Sequence, residues 1–127
     1  MLVMRYGAVG VWDADGCDAA VSSRLAYPEV CAALAAAGRA DRLAAAEQRR
    51  AEVAWDDYWE ATRPVELTES VSAHAGRLAS EHALRGADAV HLASVLAVDP
   101  IETVFAVWDG RLRAGAHAVG VRLVPSA

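Results

Sequence analysis

Hydrophobic and polar positions fall into short blocks, and the period of those blocks switches along the chain. Ala19 to Ser23 (AAVSS) is a brief apolar run bounded by turn formers, as in a buried strand. Ser23 then reads as an N-cap, and the pattern predicts a helix to Ala37, ended by Gly38. Pro28 fits the first turn of that helix, where its missing N–H costs nothing. A second helix is predicted from near Asp41 to about Ala61. Ala44, Ala51, Trp55 and Tyr58 recur there on one face, with charges opposite, as a core or dimer stripe.

Pro64 opens a predicted strand, Val65 to Leu67. Thr68, Glu69 and Ser70 signal the next helix, which carries Val71, Leu78 and Ala79 towards Leu84 and breaks at Gly86. A further helix holds Asp88, Val90, His91, Leu92, Val95 and Leu96, and Asp99-Pro100 is a turn. Thr103 to Val107 (TVFAV) is a continuous apolar strand. Asp109 opens a helix to about Val119, Gly120 caps it, and Val121 to Val124 is the last strand. Strands alternating with helices predict an α/β domain with a largely parallel sheet and right-handed crossovers.

Composition narrows the class. A chain of 127 residues suits one domain, and 55% hydrophobic with 23% charged residues excludes disorder. All 12 cations are Arg, and 30 residues are Ala. GC-rich coding explains that bias better than arginine chemistry does. A net charge of −5 with no long cationic run argues against a DNA-wrapping or membrane-surface protein. No apolar run approaches the roughly 18 residues that span a bilayer, and Met1 to Trp12, with Arg5 as its one cation, lacks signal-peptide form. Cys17 and Cys31, with no CxxC spacing, read as free thiols of a reducing, cytoplasmic compartment.

Three acids stand out by position. Glu29 lies early in the helix after AAVSS, Asp88 in the first turn of its helix, and Asp109 just beyond TVFAV. Sites in open α/β sheets form beyond the carboxyl ends of the strands, where such helix starts gather. Clustered carboxylates repel unless a cation sits among them, and oxygen-only ligands suit Mg²⁺ or Mn²⁺. Each acid alone also has a purely structural reading, because Asp109 is a good N-cap and Asp88 gains from the helix dipole.

The segments SSRLAYPEV (22–30), LRGADAVHLASVL (84–96) and VFAVWDGRLRAGAHAVGVRLVP (104–125) together resemble a PIN domain, and more closely the VapC-type toxins of bacterial toxin–antitoxin pairs. The resemblance covers roughly residues 17–125 in family order, within a single PIN-like domain over 1–127 whose residues 1–16 are atypical. It implies a three-layer α/β/α sandwich with a mostly parallel sheet. It implies Mg²⁺- or Mn²⁺-dependent endoribonuclease activity on tRNA or ribosomal RNA, a VapB-like antitoxin partner and a homodimer. Glu29, Asp88 and Asp109 match the second, third and fourth acids of the family site, as catalytic residues and metal ligands. Ser23 and Arg111 are candidate substrate contacts.

The family opens with a strand ending in an acid, then a helix. Only 22 residues precede Ser23, whereas a strand–helix–strand unit takes about 30 or more. The central strand and its acid are therefore expected to be absent from this stretch. Three readings stay open: a misassigned start or shifted frame, a degenerate remnant, or a replacement strand in 1–11 with Asp13 or Asp15 as substitute acid. That strand would have to run antiparallel to AAVSS. A remnant would act as an antitoxin-binding or dimerisation module.

Other candidates are weaker. His91 lies three residues after Asp88 and shares its helix face, within reach of a phosphate or a water of the outer coordination sphere, but a packed, hydrogen-bonded core residue explains it better. His74, His82 and His117 lack zinc spacing, and Cys31 reads as a small core residue. Arg39, Arg42, Arg49 and Arg50 read as a solvated helix face, while Arg85 is placed to pair with an acid near the site. The sequence shows no aromatic stacking platform.

Overall fold

The computed structural model describes residues 2–6, 17–98, 103–107 and 109–124. Within them the order is β1 (Leu2–Tyr6), β2 (Cys17–Ser23), α1 (Ala26–Arg39), α2 (Ala45–Glu60), β3 (Thr62–Val65), α3 (Glu69–His82), α4 (Gly86–Leu96), β4 (Thr103–Ala106), α5 (Gly110–Ala118) and β5 (Leu123–Val124). The sheet order is β3-β2-β1-β4-β5. β2 pairs parallel with β3, and β4 with β5. β1 pairs antiparallel with both β2 and β4. Four strands thus run one way and the central one runs against them.

The middle of the sheet, expected to lack its strand, is therefore filled. Val3 lies opposite Val21 on one side and Phe105 on the other. Reversal has a topological cause: Tyr6 and Cys17 are paired across the two strands. A connection joining adjacent strand ends at one edge gives an antiparallel pair, whereas a parallel one needs a crossover.

The α/β core lies on the sheet face that carries Val21, Phe105, Val107 and Leu123. Leu78 of α3, Ala89 and Leu92 of α4, and Leu112 and Ala116 of α5 pack there. Phe105 and Leu92 are wholly buried. The continuous apolar reading of TVFAV holds, because Val104 to Val107 are all buried.

Local chemistry explains where element ends fall. Thr68 caps α3, its hydroxyl accepting from the Val71 amide at 3.2 Å. Asp109 caps α5, and Gly120, at φ 78°, takes the left-handed turn after it. Other boundaries depart from expectation. Leu25, not Ser23, occupies the N-cap position of α1, while the Ser23 hydroxyl accepts from the Leu25 amide one step earlier. Gly38 sits inside α1 rather than ending it. A Cβ there would meet only the end of the Gln48 side chain of α2, which can swing aside, so this position tolerates glycine without demanding it. α3 ends at Ala83, in the left-handed region, and Gly86 starts α4 instead of breaking α3. β3 contains Pro64 rather than following it; as an edge strand it tolerates the lost donor.

The α1–α2 hairpin carries an aromatic cluster that the sequence reading did not foresee. Tyr27 stacks on Trp55, with centroids 6.3 Å apart, and Trp55 stacks on Tyr58 at 5.7 Å; Trp59 tilts against Tyr27 and Trp55. The predicted α2 stripe is only half-covered, since no residue of α2 is fully buried. The Tyr27 hydroxyl donates to Asp56 at 2.9 Å, and that bond pushes its pKa up to about 12.

Candidate acidic site

β2 and β4 run parallel, so their carboxyl ends lie at the same end of the sheet, two strand spacings apart across β1. At about 4.8 Å per spacing that is roughly 10 Å, a span that side chains from both sides can close. Glu29 arrives there in the first turn of α1, after β2. Asp109 arrives after β4, as the N-cap of α5. Asp88 arrives in the first turn of α4, whose apolar side is buried in the core. The three sequence-predicted acids therefore approach one end of the sheet from three helix starts.

Two of them share a cation. The Arg85 Nε donates to Asp88 Oδ2 at 2.9 Å, and its Nη2 lies 3.6 Å from Asp109 Oδ2. Asp88 is mostly covered, at 14% side-chain exposure, while Arg85 is 67% exposed. Asp109 Oδ1 accepts the amides of Arg111 and Leu112, each at 3.0 Å. The Leu112 amide first, then the Arg111 amide and the Arg85 charge, hold the Asp109 carboxyl below its ordinary pKa. Asp88, by its hydrogen bond and its charge, and then Asp109 raise that of Arg85.

Glu29 is engaged differently. Its Oε2 lies 2.5 Å from His91 Nε2, joining α1 to α4 across 62 positions of sequence. The His91 side chain is 5% exposed, and its Nδ1 has no partner among the described residues. His91 is thus both things the sequence allowed, a packed core residue and one that faces the site one turn beyond Asp88. The Glu29–His91 pair itself was not read from the sequence. The one signal was the i, i+3 spacing from Asp88, which says nothing of the partner.

The remaining candidates fall as follows. Ser23 is 1% exposed and bonded to backbone, which fits a structural role at the strand end and gives substrate no access. Arg111 is exposed on the first turn of α5, beside Asp109. Cys31 is a free, half-buried thiol. Asp13 and Asp15, the proposed substitute acids, and the Asp99-Pro100 turn lie outside the described residues. The C-terminal end of β1, at Tyr6, is at the opposite end of the sheet from the three acids. An antiparallel first strand therefore does not deliver an acid to them in the way the resemblance implies.

Asp88 and Asp109 offer the oxygen donors that Mg²⁺ and Mn²⁺ take, and a guanidinium already faces both, so the space between them accepts a cation. The fit is in kind, with two carboxylates rather than three. Glu29 is turned to His91, and among the described residues no three His, Cys, Asp or Glu side chains lie close enough to share an ion. No helix among the described residues is long and apolar enough to cross a membrane.

No family model matches the chain, and no solved structure matches it. Two curated proteins do: Ribonuclease VapC45 of Mycobacterium tuberculosis (strain CDC 1551 / Oshkosh) and Ribonuclease VapC49 of Mycobacterium tuberculosis (strain ATCC 25618 / H37Rv). Each is 63% identical over 119 residues, which is 94% of this chain and 81% of the relative. Identity of that degree, over nearly the whole chain and joined to an acid-bearing α/β fold, means that the chain belongs to the VapC ribonuclease family.

Proposed function

We propose that the chain is a metal-dependent endoribonuclease toxin that cuts RNA phosphodiester bonds and is restrained by a VapB-like antitoxin. The carrying observation is the convergence of Asp88 and Asp109 on one cation, at the sheet end where Glu29 also arrives. In this reading Asp88 and Asp109 would hold Mg²⁺ or Mn²⁺, with Glu29 as the third acid of the site. Such an ion supplies charge neutralisation at the phosphate and a more acidic bound water. The chain's own residues do the positioning. Asp109 is fixed by two backbone amides, Asp88 by its place on a buried helix, and Glu29 by His91. Arg111, exposed beside Asp109, is placed for a phosphate contact. The substrate class is tRNA or ribosomal RNA, and the working form is a homodimer in the cytoplasm.

A second reading has its own observation. Every one of the three acids already has an intramolecular partner, and β1 brings no fourth. In that case the domain binds antitoxin or dimerises without cleaving RNA.

The test is RNA cleavage by the purified chain with Mn²⁺ or Mg²⁺, with and without chelator, beside Asp88→Asn. Loss of one ligand charge at constant shape is expected to lower cleavage at least about 100-fold, by analogy with removal of a charge-stabilising group elsewhere. Cleavage that survives chelation or the substitution overturns the metal-site reading. A folded wild-type chain that cleaves nothing but binds antitoxin favours the second.

A further inference from the structure

The oxygen that Asp109 can offer to a cation is set by its other bonds. Oδ1 is committed to the amides of Arg111 and Leu112. Oδ2 is the oxygen that Arg85 faces, at 3.6 Å. Asp88 likewise presents Oδ2 to the same guanidinium. Whatever cation these two carboxylates share must enter the space that Arg85 fills.

Arg85 is built to leave. It is the N-cap residue of α4, and its side chain caps no helix amide. Its side chain is two-thirds exposed, so its charge can swing into water without desolvation. Asp88 and Asp109 cannot follow, because one is mostly covered and the other is pinned as an N-cap.

We propose that Arg85 is a resident counter-ion: it holds Asp88 and Asp109 together when no divalent ion is bound, and it competes with that ion for the same oxygens. The inference rests on the metal-site reading above and deepens it. Two outcomes follow from competition. Apparent ion affinity is lowered by the fraction of molecules in which Arg85 is seated. Without Arg85 the two carboxylates repel, and the ion-free protein is strained relative to the ion-bound one.

The test is Mn²⁺ binding to the full chain, read from the paramagnetic resonance signal of free Mn²⁺, for wild type, Arg85→Gln and Arg49→Gln. Arg49→Gln removes the same charge from a net −5 chain on α2, whose start carries no site acid. Arg85→Gln is expected to bind Mn²⁺ about two- to fivefold more tightly, the range an exposed ion pair supports. Arg49→Gln should match wild type. Arg85→Lys, which keeps a charge but lacks the fork that reaches both acids, should fall between. Its retained charge also guards against a folding defect in Arg85→Gln. Arg85→Gln affinity equal to or weaker than wild type overturns the role given to Arg85 while leaving the metal site standing. Equal tightening in Arg49→Gln overturns it as a net-charge effect. No Mn²⁺ binding by any of the proteins overturns the metal-site reading, and this inference with it.

Discussion

Placing β1 at the centre of the sheet makes Met4 the sharpest point at which to perturb the fold. Met4 lies opposite Ala20 on one side and Val104 on the other, so its backbone serves a ladder with partners on both flanks. Proline at 4 removes one amide donor. A net hydrogen bond of about 0.5–1.5 kcal/mol is lost, and the orphaned acceptor adds about 1–3 kcal/mol. The sum, roughly 2–4 kcal/mol, is a large part of the roughly 5–15 kcal/mol that holds a domain of this size. The fold supplies its own contrast, because Pro64 sits on edge strand β3 opposite Ser22. Urea unfolding followed by far-ultraviolet circular dichroism and by fluorescence of Trp55 and Trp59 measures the cost. With a slope of about 1–3 kcal/mol per molar, the midpoint of Met4→Pro should fall by about 1 M or more, and that of Met4→Leu should barely move. A midpoint for Met4→Pro within about 0.1 M of wild type would refute the central placement of β1, since a shift that small is worth at most about 0.3 kcal/mol, less than one ladder bond.

Two further predictions follow. Leu92 is wholly buried in the core between α4 and the sheet, so Leu92→Ala should cost about 2–5 kcal/mol in the same unfolding experiment; a loss below about 1 kcal/mol would mean that α4 does not pack there. The folded-state pKa of Asp109 lies below its ordinary value of 3.8, so its ionised form contributes stability that is complete above about pH 4 and is lost as pH falls towards the folded value. Asp109→Asn keeps a capping oxygen but not the titration. Its melting temperature should therefore fall less steeply than that of wild type below about pH 4, and parallel curves would count against the capped, Arg85-facing carboxylate.

The candidate site was legible one residue at a time. Asp109 announced itself as an N-cap after an apolar strand, and Asp88 as an acid in a first turn, because both are local rules of helix starts. Arg85 could be marked as a partner for an acid near the site, from its place just before Gly86. That the same guanidinium also meets Asp109 could not be read, because the two lie on different helices. Glu29 and His91 are 62 positions apart, and no period or spacing links them. Ser23 looked available at a strand-to-helix turn, and burial removed it.

The sequence by itself determined the succession of strands and helices from β2 onward, the caps at Thr68 and Asp109, the left-handed turn at Gly120, and the three acids at helix starts. These depend on neighbours within a few positions, where propensity, capping and hydrophobic period act. Only the tertiary structure decided that β1 forms between β2 and β4 and that Arg85 is shared between two carboxylates. A short connection allows only an antiparallel neighbour, but whether a strand forms there at all depends on a place between β2 and β4 that only the folded sheet provides. Charge sharing is likewise a matter of distance in space, and the chain sets that distance only once the sheet has brought the ends of β2 and β4 to either side of β1.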